Sequence, residues 1–328
     1  MQHSAPHSYV NELLDPQFFI QTCLSIVNKN SQRVPFILNA LQNKWWSEHT
    51  ALDIIIKARK MGFSAVISAI WLHACIFKQN TRAVMVSHED ESTKRLLERV
   101  RYYIDTCKIP IKTQKNSERE ISFPDTNSTF WIGTAGQRAF GRGDDITHLH
   151  LSEFTQYPNF DIVTGVTEAM RNDGIIVCES TANGAGNDSH KFWLNAINGE
   201  SNYRGHFYGW WEDPEYCDPD HTPFELVLDE KEIKDALGLS WGQIRWRRKK
   251  IADMAQPEKF PQEYPASWEE AFLTSGQAVF KWQDLKRQEA GMLTSKWTGE
   301  LLNTGRTITI EPQDKGRLTI WRTPRNRA

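Results

Sequence analysis

The sequence has no run of apolar residues long enough to span a bilayer, and it opens on no charged-then-apolar leader pattern. Both absences set the expectation of a soluble intracellular protein with no membrane contact. Cysteine is sparse: Cys23, Cys75, Cys107, Cys178 and Cys217 are odd in number, scattered, and include no C-x-x-C pair. Reduced thiols in a cytosol are therefore expected, and a zinc site is not. An excess of either charge is missing too. The formal net charge is −2 over 328 residues, so any contact with nucleic acid must come from local patches. No internal repeat and no low-complexity segment is found. Aromatic residues, by contrast, are plentiful; burial in the scaffold is the first expectation for the 13 Trp. A hydrophobic content of 39% suffices for one large domain or two modest ones.

Periodicity predicts a partly helical N-terminal stretch, Asp15–Asn28, and then an alternation from Asp53 onward. The alternating elements are strand Asp53–Lys57, helix Ser64–Phe77, strand Arg82–Ser87 and helix Asp90–Thr106. A hairpin follows, Glu120–Phe123 and Thr129–Thr134, then strand Thr147–Leu151, helix Asp161–Arg171 and strand Gly174–Glu179. Strands separated by helices predict an α/β fold with a mainly parallel sheet covered on both faces. After Trp211 the character shifts to charged helices between Asp229 and Met254. The expected division is a core over residues 1–211, a small helical subdomain over 212–291, and a tail of short strands over 292–328.

Chemistry concentrates at the stretch "IIIKARKMGFSAVISA", Ile54 to Ala69. A β-branched run enters a turn carrying Lys57, Arg59, Lys60, Gly62 and Ser64, and leaves as a helix. Free N–H groups and the helix dipole make such a turn an anion site, and the cations direct it toward phosphate. Against the P-loop pattern G-x-x-x-x-G-K-[ST], residues Lys57, Ala58, Arg59, Lys60, Met61, Gly62, Phe63 and Ser64 keep the second glycine and the hydroxyl. Lysine stands for the first glycine and Phe63 for the lysine. A basic surface turn ahead of a helix is the other reading of the same residues. Further on, "ITHLHLSEF" is an apolar strand ending in Glu153, placed to orient and deprotonate a water; a solvated strand-end Glu is the alternative. Arg138 and Arg142 lie in the Gly-rich "GQRAFGRGDD", where a mobile Arg can reach a γ-phosphate or stay solvated. A third strand runs into "TANGAGN", with Ser180, Thr181 and Asn183 where parallel sheets gather ligands. "LSWGQIRWRRKK" offers cations and Trp for a phosphate backbone, although inward packing of Ile244 and Trp at helical spacing is the favoured reading.

Five segments in order, "PFILNALQNKWW", "IIIKARKMGFS", "FGRGDDITHLHLSE", "ESTANGAGN" and "KFPQEYPASWEEAFLTSG", resemble the large terminase subunit of tailed bacteriophages, the motor that packages viral DNA. The resemblance covers about Arg33 to Ala328. It implies a P-loop NTPase of the ASCE type with a lid subdomain, hydrolysing ATP with Mg²⁺ to drive double-stranded DNA into a procapsid. By the same resemblance Gln42, with Phe36 nearby, matches an adenine-recognising motif, and Lys57 a displaced phosphate-binding lysine. Arg59 matches an arginine that senses the γ-phosphate. Ser64 matches a Mg²⁺ ligand and Glu153 the catalytic carboxylate. Arg142, with Arg138 second, is assigned as a finger given to the neighbouring subunit. Ser180, Thr181 and Ala182 match the motif that couples hydrolysis to DNA movement.

Two departures stand out. Phe63 moves the cationic role onto Lys57 or Arg59, and Ser152 replaces the aspartate that usually helps hold Mg²⁺, with Asp144 or Asp145 as possible helpers. The family continues into a nuclease domain that this sequence does not reach, so no nuclease activity is expected of it. Implied partners are double-stranded DNA, the portal protein of the procapsid, the small terminase subunit, and further copies of the chain in a ring, a pentamer when assembled. The implied place is the host cytoplasm, transiently at the portal and outside the mature virion. A helicase-like motor and a nucleotide-binding assembly factor are the competing readings.

Overall fold

Strands covered by helices on both sides tend to read as continuous apolar runs, as "DIIIK" and "AVMVS" do here, whereas "ITHLHLS" carries the buried His148 and His150 within its run. The computed structural model describes residues 11–136, 145–273, 288, 291, 297–303, 308–312 and 318–320. Contacts divide the chain into two compact units, Met1–Ala278 and Val279–Ala328.

In the first unit, helix α1 (Pro16–Cys23) is followed by a small hairpin of β1 (Ser25–Val27) and β2 (Arg33–Pro35). Then come α2 (Ala40–Glu48), β3 (Leu52–Lys57), α3 (Phe63–Phe77), β4 (Arg82–Ser87), α4 (Asp90–Thr106), β5 (Glu120–Phe123) and β6 (Ser128–Thr134). The unit continues through β7 (Ile146–Ser152), α5 (Asp161–Thr167), β8 (Met170–Ser180), α6 (Asp188–Ile197) and β9 (Arg204–Tyr208). Four helices complete it: α7 (Leu228–Leu237), α8 (Trp241–Asp253), α9 (Phe260–Glu263) and α10 (Trp268–Leu273). The second unit holds an antiparallel sheet in the order β11 (Ile308–Pro312), β10 (Trp297–Asn303), β12 (Leu318–Ile320).

The main sheet has seven strands in the order β5-β6-β4-β7-β8-β3-β9, parallel throughout except for the β5–β6 pair. β8 therefore stands between β3, which leads into the basic turn, and β7, which leads to Glu153. This is the ASCE form of the P-loop fold that the family resemblance implied. Alternate residues of β3 feed different cores. Ile55 joins Met85, Phe130, Leu97 and Val100 under α3 and α4, whereas Ile54 and Ile56 join Leu149, Leu151, Val163 and Trp193 under α5 and α6.

Local corrections have visible causes. The helix expected over Asp15–Asn28 stops at Cys23, because Leu24 is extended and Ser25–Val27 pairs with Arg33–Pro35. The helix expected over Asp161–Arg171 ends at Thr167, and β8 begins at Met170 opposite Ile146. The charged helical stretch divides where Gly238 adopts φ +64° and Ser240, with Gln243, caps a new helix. Helices α2, α6, α9 and α10 and strand β9 had no reading of their own in the sequence, while β10 falls in the tail expected to form short strands.

Most cations of α8 are engaged within the fold. Arg245 donates to the Asp220 and Thr222 carbonyls, Arg248 pairs with Glu230, and Lys249 lies 2.6 Å from Asp218. Arg247 and Lys250 stand over the rings of Phe260 and Tyr264. Trp246 stacks on Trp210 at 5.2 Å and on Tyr216 at 4.7 Å, while Ile244 is fully buried. The inward-packing reading of this helix holds. Of the tryptophans, Trp45, Trp71, Trp193 and Trp210 are among the largest fully buried side chains, as expected for scaffold use. All five cysteines are free thiols. Among the described residues no helix is long and apolar enough to cross a membrane.

Because Ile55 and Ile56 fill separate cores on the two faces of the sheet, Ile55→Ala and Ile56→Ala should each cost about 2–5 kcal/mol of unfolding free energy. Urea unfolding of both variants checks this. A loss under about 1 kcal/mol at either position would mean that the sheet is not covered on that face.

Candidate active site

The site is built where three neighbouring parallel strands end. Lys57 closes β3, Ser152 closes β7, and Ser180 closes β8, with Glu153 and Glu179 beside them. Register fixes their order: Glu179 sits opposite Ser152 on one side and Ile55 on the other. Open α/β sheets collect ligands at this edge.

The Lys57 side chain is only 6% exposed. Its Nζ lies 3.1 Å from Glu179 Oε2 and 3.3 Å from Glu153 Oε1. Burial works against the ammonium, but Glu153 and Glu179 overcome it and hold Lys57 well above the ordinary lysine range. Glu179 is fully buried. Burial alone would raise its pKa; the Lys57 ammonium, His150 and the Ser64 hydroxyl instead hold it well below the usual carboxylate range. Its Oε1 accepts from Ser64 Oγ at 2.6 Å and Ser152 Oγ at 2.8 Å, with His150 Nε2 at 3.4 Å.

Glu153 has φ +54°, the left-handed region, which costs a non-glycine residue about 1 kcal/mol or more. Its N–H donates to the Glu179 carbonyl at 2.7 Å, which ties the strained residue to β8. The carboxylate is part-exposed, and Oε2 accepts from Ser180 Oγ at 3.1 Å and from the Thr181 N–H at 3.3 Å. Thr155 links the same groups, bonding Ser180 Oγ and the Thr181 carbonyl at 2.7 Å each, and its own carbonyl accepts from Asn183. Ala182 is fully buried beneath them. The segment expected to couple hydrolysis to movement thus touches the candidate base directly.

The basic turn is gripped from two sides. On one side Gln42 Nε2 donates to the Gly62 carbonyl at 2.9 Å, and Asn39 to that of Met61 at 3.2 Å. Gly62 has φ +80°, and a Cβ there would stand 2.7 Å from Gln42 Nε2, so both conformation and space call for glycine. On the other side Arg59 pairs with Glu263, its N–H donates to the Glu263 carbonyl at 3.0 Å, and Tyr216 Oη donates to the Arg59 carbonyl. Ala58 donates to Tyr208. Lys60 is exposed at φ +60°. Phe63 is buried against Tyr208 at 4.8 Å, so a cation at that position would point into the core; Lys57 is the cation that reaches the strand ends. Phe36 is buried against Tyr103.

The structure therefore brings Lys57, Ser64, Ser152, Glu153, Ser180 and Thr181 together. Arg59 stands at the flank, and Gln42 braces the turn from behind. Arg138, Arg142 and Asp144 lie outside the described residues, and Asp145 is exposed at the entry to β7. Glu179, His150, Thr155 and Glu263 had no role in the sequence reading. The one available signal was Glu179 itself, a charge closing the apolar run "GIIVC", where burial demands a partner. Ser64, Ser152 and Glu179 offer hard oxygen donors of the kind Mg²⁺ takes. Among the described residues no group of three His, Cys, Asp or Glu could hold a metal unaided.

The family model described as "Terminase large subunit, T4likevirus-type, N-terminal" matches residues 54–287. Among solved structures, the large terminase of bacteriophage HK97 is similar with a TM-score of 0.57 at 15% identity, over 88% of this chain and 62% of that one. The chain thus spans about three-fifths of the length of that terminase. The ATPase domain of the Thermus phage P74-26 large terminase aligns over 67% of this chain and 90% of its own, at 15% identity and a TM-score of 0.46. The large terminase of a thermophilic bacteriophage in complex with ATP-gamma-S aligns over 68% of this chain and 50% of its own, at 10% identity and a TM-score of 0.46. No curated protein matches the sequence.

The depressed Glu179 carboxyl has a definite pH consequence. Below about 4.3, the unfolded chain takes up a proton here that the folded chain refuses, so stability is present above that pH and declines as pH falls. In Lys57→Met the ammonium is gone and burial pushes the carboxyl upward, so this contribution should shrink or reverse sign. Urea unfolding between pH 3 and 7 should give a shallower acid decline in Lys57→Met than in the wild type, by about one proton at most. Equal slopes would mean that Lys57 does not hold Glu179 ionised.

Proposed function

We propose, from the premise that this chain belongs to the terminase large-subunit family, that it is an ATP-hydrolysing motor domain that translocates double-stranded DNA into a viral procapsid. The observation that carries the reading is the meeting of Lys57 and Glu153 at 3.3 Å beside the Gly62–Ser64 turn. A phosphate cation, a base and an anion-binding helix start then face one point.

On this reading the turn's backbone N–H groups and Lys57 receive the phosphates, and Gln42 relays adenine binding to the turn through Gly62. Ser64 and Ser152 would hold Mg²⁺, which when bound neutralises charge on the phosphates. An arriving γ-phosphate competes for Lys57 and leaves Glu153 Oε1 free to accept a proton from the attacking water. The bond between the γ-phosphorus and the bridging oxygen breaks as the water oxygen bonds to phosphorus, and the proton goes to Glu153. Ser180 and Thr181 hold the other oxygen of Glu153, so a change in its position reaches β8 and the Thr155 network. Arg59, paired with Glu263, links the turn to residues 212–291, which act as a lid. Arg142 completes a neighbouring copy's site in a ring of the chain. The motor works with the portal protein and the small terminase subunit in the host cytoplasm.

Glu153→Gln should bind ATP and hydrolyse it at least roughly 10²-fold more slowly, since a general base contributes about that much. Steady-state phosphate release and nucleotide binding measure the two properties; near wild-type turnover removes Glu153 from the mechanism. A mixing experiment addresses the ring. Arg142→Ala and Glu153→Gln proteins together should recover part of the activity that each lacks, because some sites pair an intact base with an intact neighbouring finger. Absence of rescue at every ratio places Arg142 within its own site or outside any.

A further inference from the structure

Ser152 is neutral, yet it stands where the family pattern has a carboxylate for the cation site. The nearest ionised group in register is Glu179, opposite Ser152 on β8. Its two oxygens have different partners. Oε2 lies 3.1 Å from Lys57 Nζ, whereas Oε1 accepts from both serine hydroxyls, at 2.6 Å from Ser64 and 2.8 Å from Ser152. Neutralising Lys57 alone would need only the first. A serine hydroxyl has one proton and two lone pairs. When the proton points into Glu179, the lone pairs are left for another partner, which is what a cation ligand requires. A buried carboxylate behind two such hydroxyls also strengthens them as ligands, as partners behind metal ligands commonly do.

We infer that Glu179 is the carboxylate of the divalent-cation site, displaced by one strand from its usual place and acting through the Ser64 and Ser152 hydroxyls. It is a positioning residue. The inference rests on the ATPase reading and concerns only how the cation is held.

The probe is Mn²⁺, with its free concentration read by electron paramagnetic resonance in the presence of a non-hydrolysable ATP analogue. Binding of the same analogue in EDTA is measured in parallel. Glu179→Gln should bind Mn²⁺ at least about 10-fold more weakly, a larger loss than any change in EDTA-state nucleotide affinity that follows from its contact with Lys57. Adding Ser152→Asp to that variant returns a carboxylate to β7 and should recover most of the loss. Glu179→Asp keeps a charge facing Lys57, and its shorter reach should weaken Mn²⁺ several-fold while lowering thermal melting less than Glu179→Gln does. If Glu179→Gln does not fold, Glu179→Asp carries the test on the same criterion.

Wild-type Mn²⁺ affinity in the variants, or a folded double variant without recovery, overturns the inference and leaves the ATPase reading standing. A wild-type protein that binds no Mn²⁺ with nucleotide overturns both.

Discussion

A buried ammonium is the constraint on which the site depends. Lys57 has a side chain 6% exposed, and an ion removed from water that far survives only with counter-charges at contact distance. Glu153 and Glu179 supply them from two other strand ends. The three residues pin the C-terminal edges of β3, β8 and β7 to one another. Removing one partner of such a group typically costs about 3–5 kcal/mol, because the charge left behind is uncompensated. The same contacts that secure the edge therefore also hold the chemical groups in register. On the proposed reading, stability and function draw on one set of atoms here.

The turn above this edge is held by contacts of a different kind. Gln42 and Asn39 are neutral; they donate to its carbonyls and occupy none of its N–H groups, of which those of Ala58 and Arg59 bond the Tyr208 and Glu263 carbonyls. On the opposite flank, Glu263 and Tyr216 bond Arg59 through both side chain and backbone. Tyr216 belongs to a stack with Trp246, and Trp246 stacks on Trp210 just beyond β9. The turn thus has one neighbour anchored in the core and another anchored in the aromatic cluster of the α8–α9 region. A change in the charge near Arg59 has a short mechanical route into that cluster.

Much of this was legible in the sequence. The apolar runs of β3, β4 and β8 marked their positions because strands covered on both faces tend to lack polar alternation, while β7 was readable from Leu149 and Leu151 in spite of the buried His148 and His150 between and beside them. The strand–turn–helix form around Gly62 was legible, but the turn's residues alone read equally as a basic surface turn, and only the order of the five segments directed them toward phosphate. Strand β9 was not, since "RGHFY" lies at a sheet edge and carries its buried His206 and Tyr208 among polar residues. Helix α2 was hidden by weak amphipathicity in "ALQNKWWSE", and only its Asn39–Gln42 capping box marks it. Glu179 escaped because its partners come from residues 57, 64, 150 and 152. That proximity follows from β8 standing between β3 and β7, a fact of sheet order and not of spacing along the chain.

Sheet order also connects the two departures from the usual pattern. A lysine at position 63 would sit at the start of α3, where the structure instead buries a phenylalanine against Tyr208. Its charge is carried by Lys57, inside the sheet edge, where an isolated cation is untenable. Moving the cation inward creates a demand for a buried anion within about 4 Å. An aspartate at position 152 would be one answer; Glu179, one strand nearer to Lys57, is the answer here, and it leaves Ser152 as a neutral donor to the same oxygen that Ser64 reaches. On the ATPase reading proposed above, Phe63, Lys57, Ser152 and Glu179 are linked, since the charge absent from position 63 stands at Lys57 and the carboxylate absent from position 152 stands at Glu179, in contact with it.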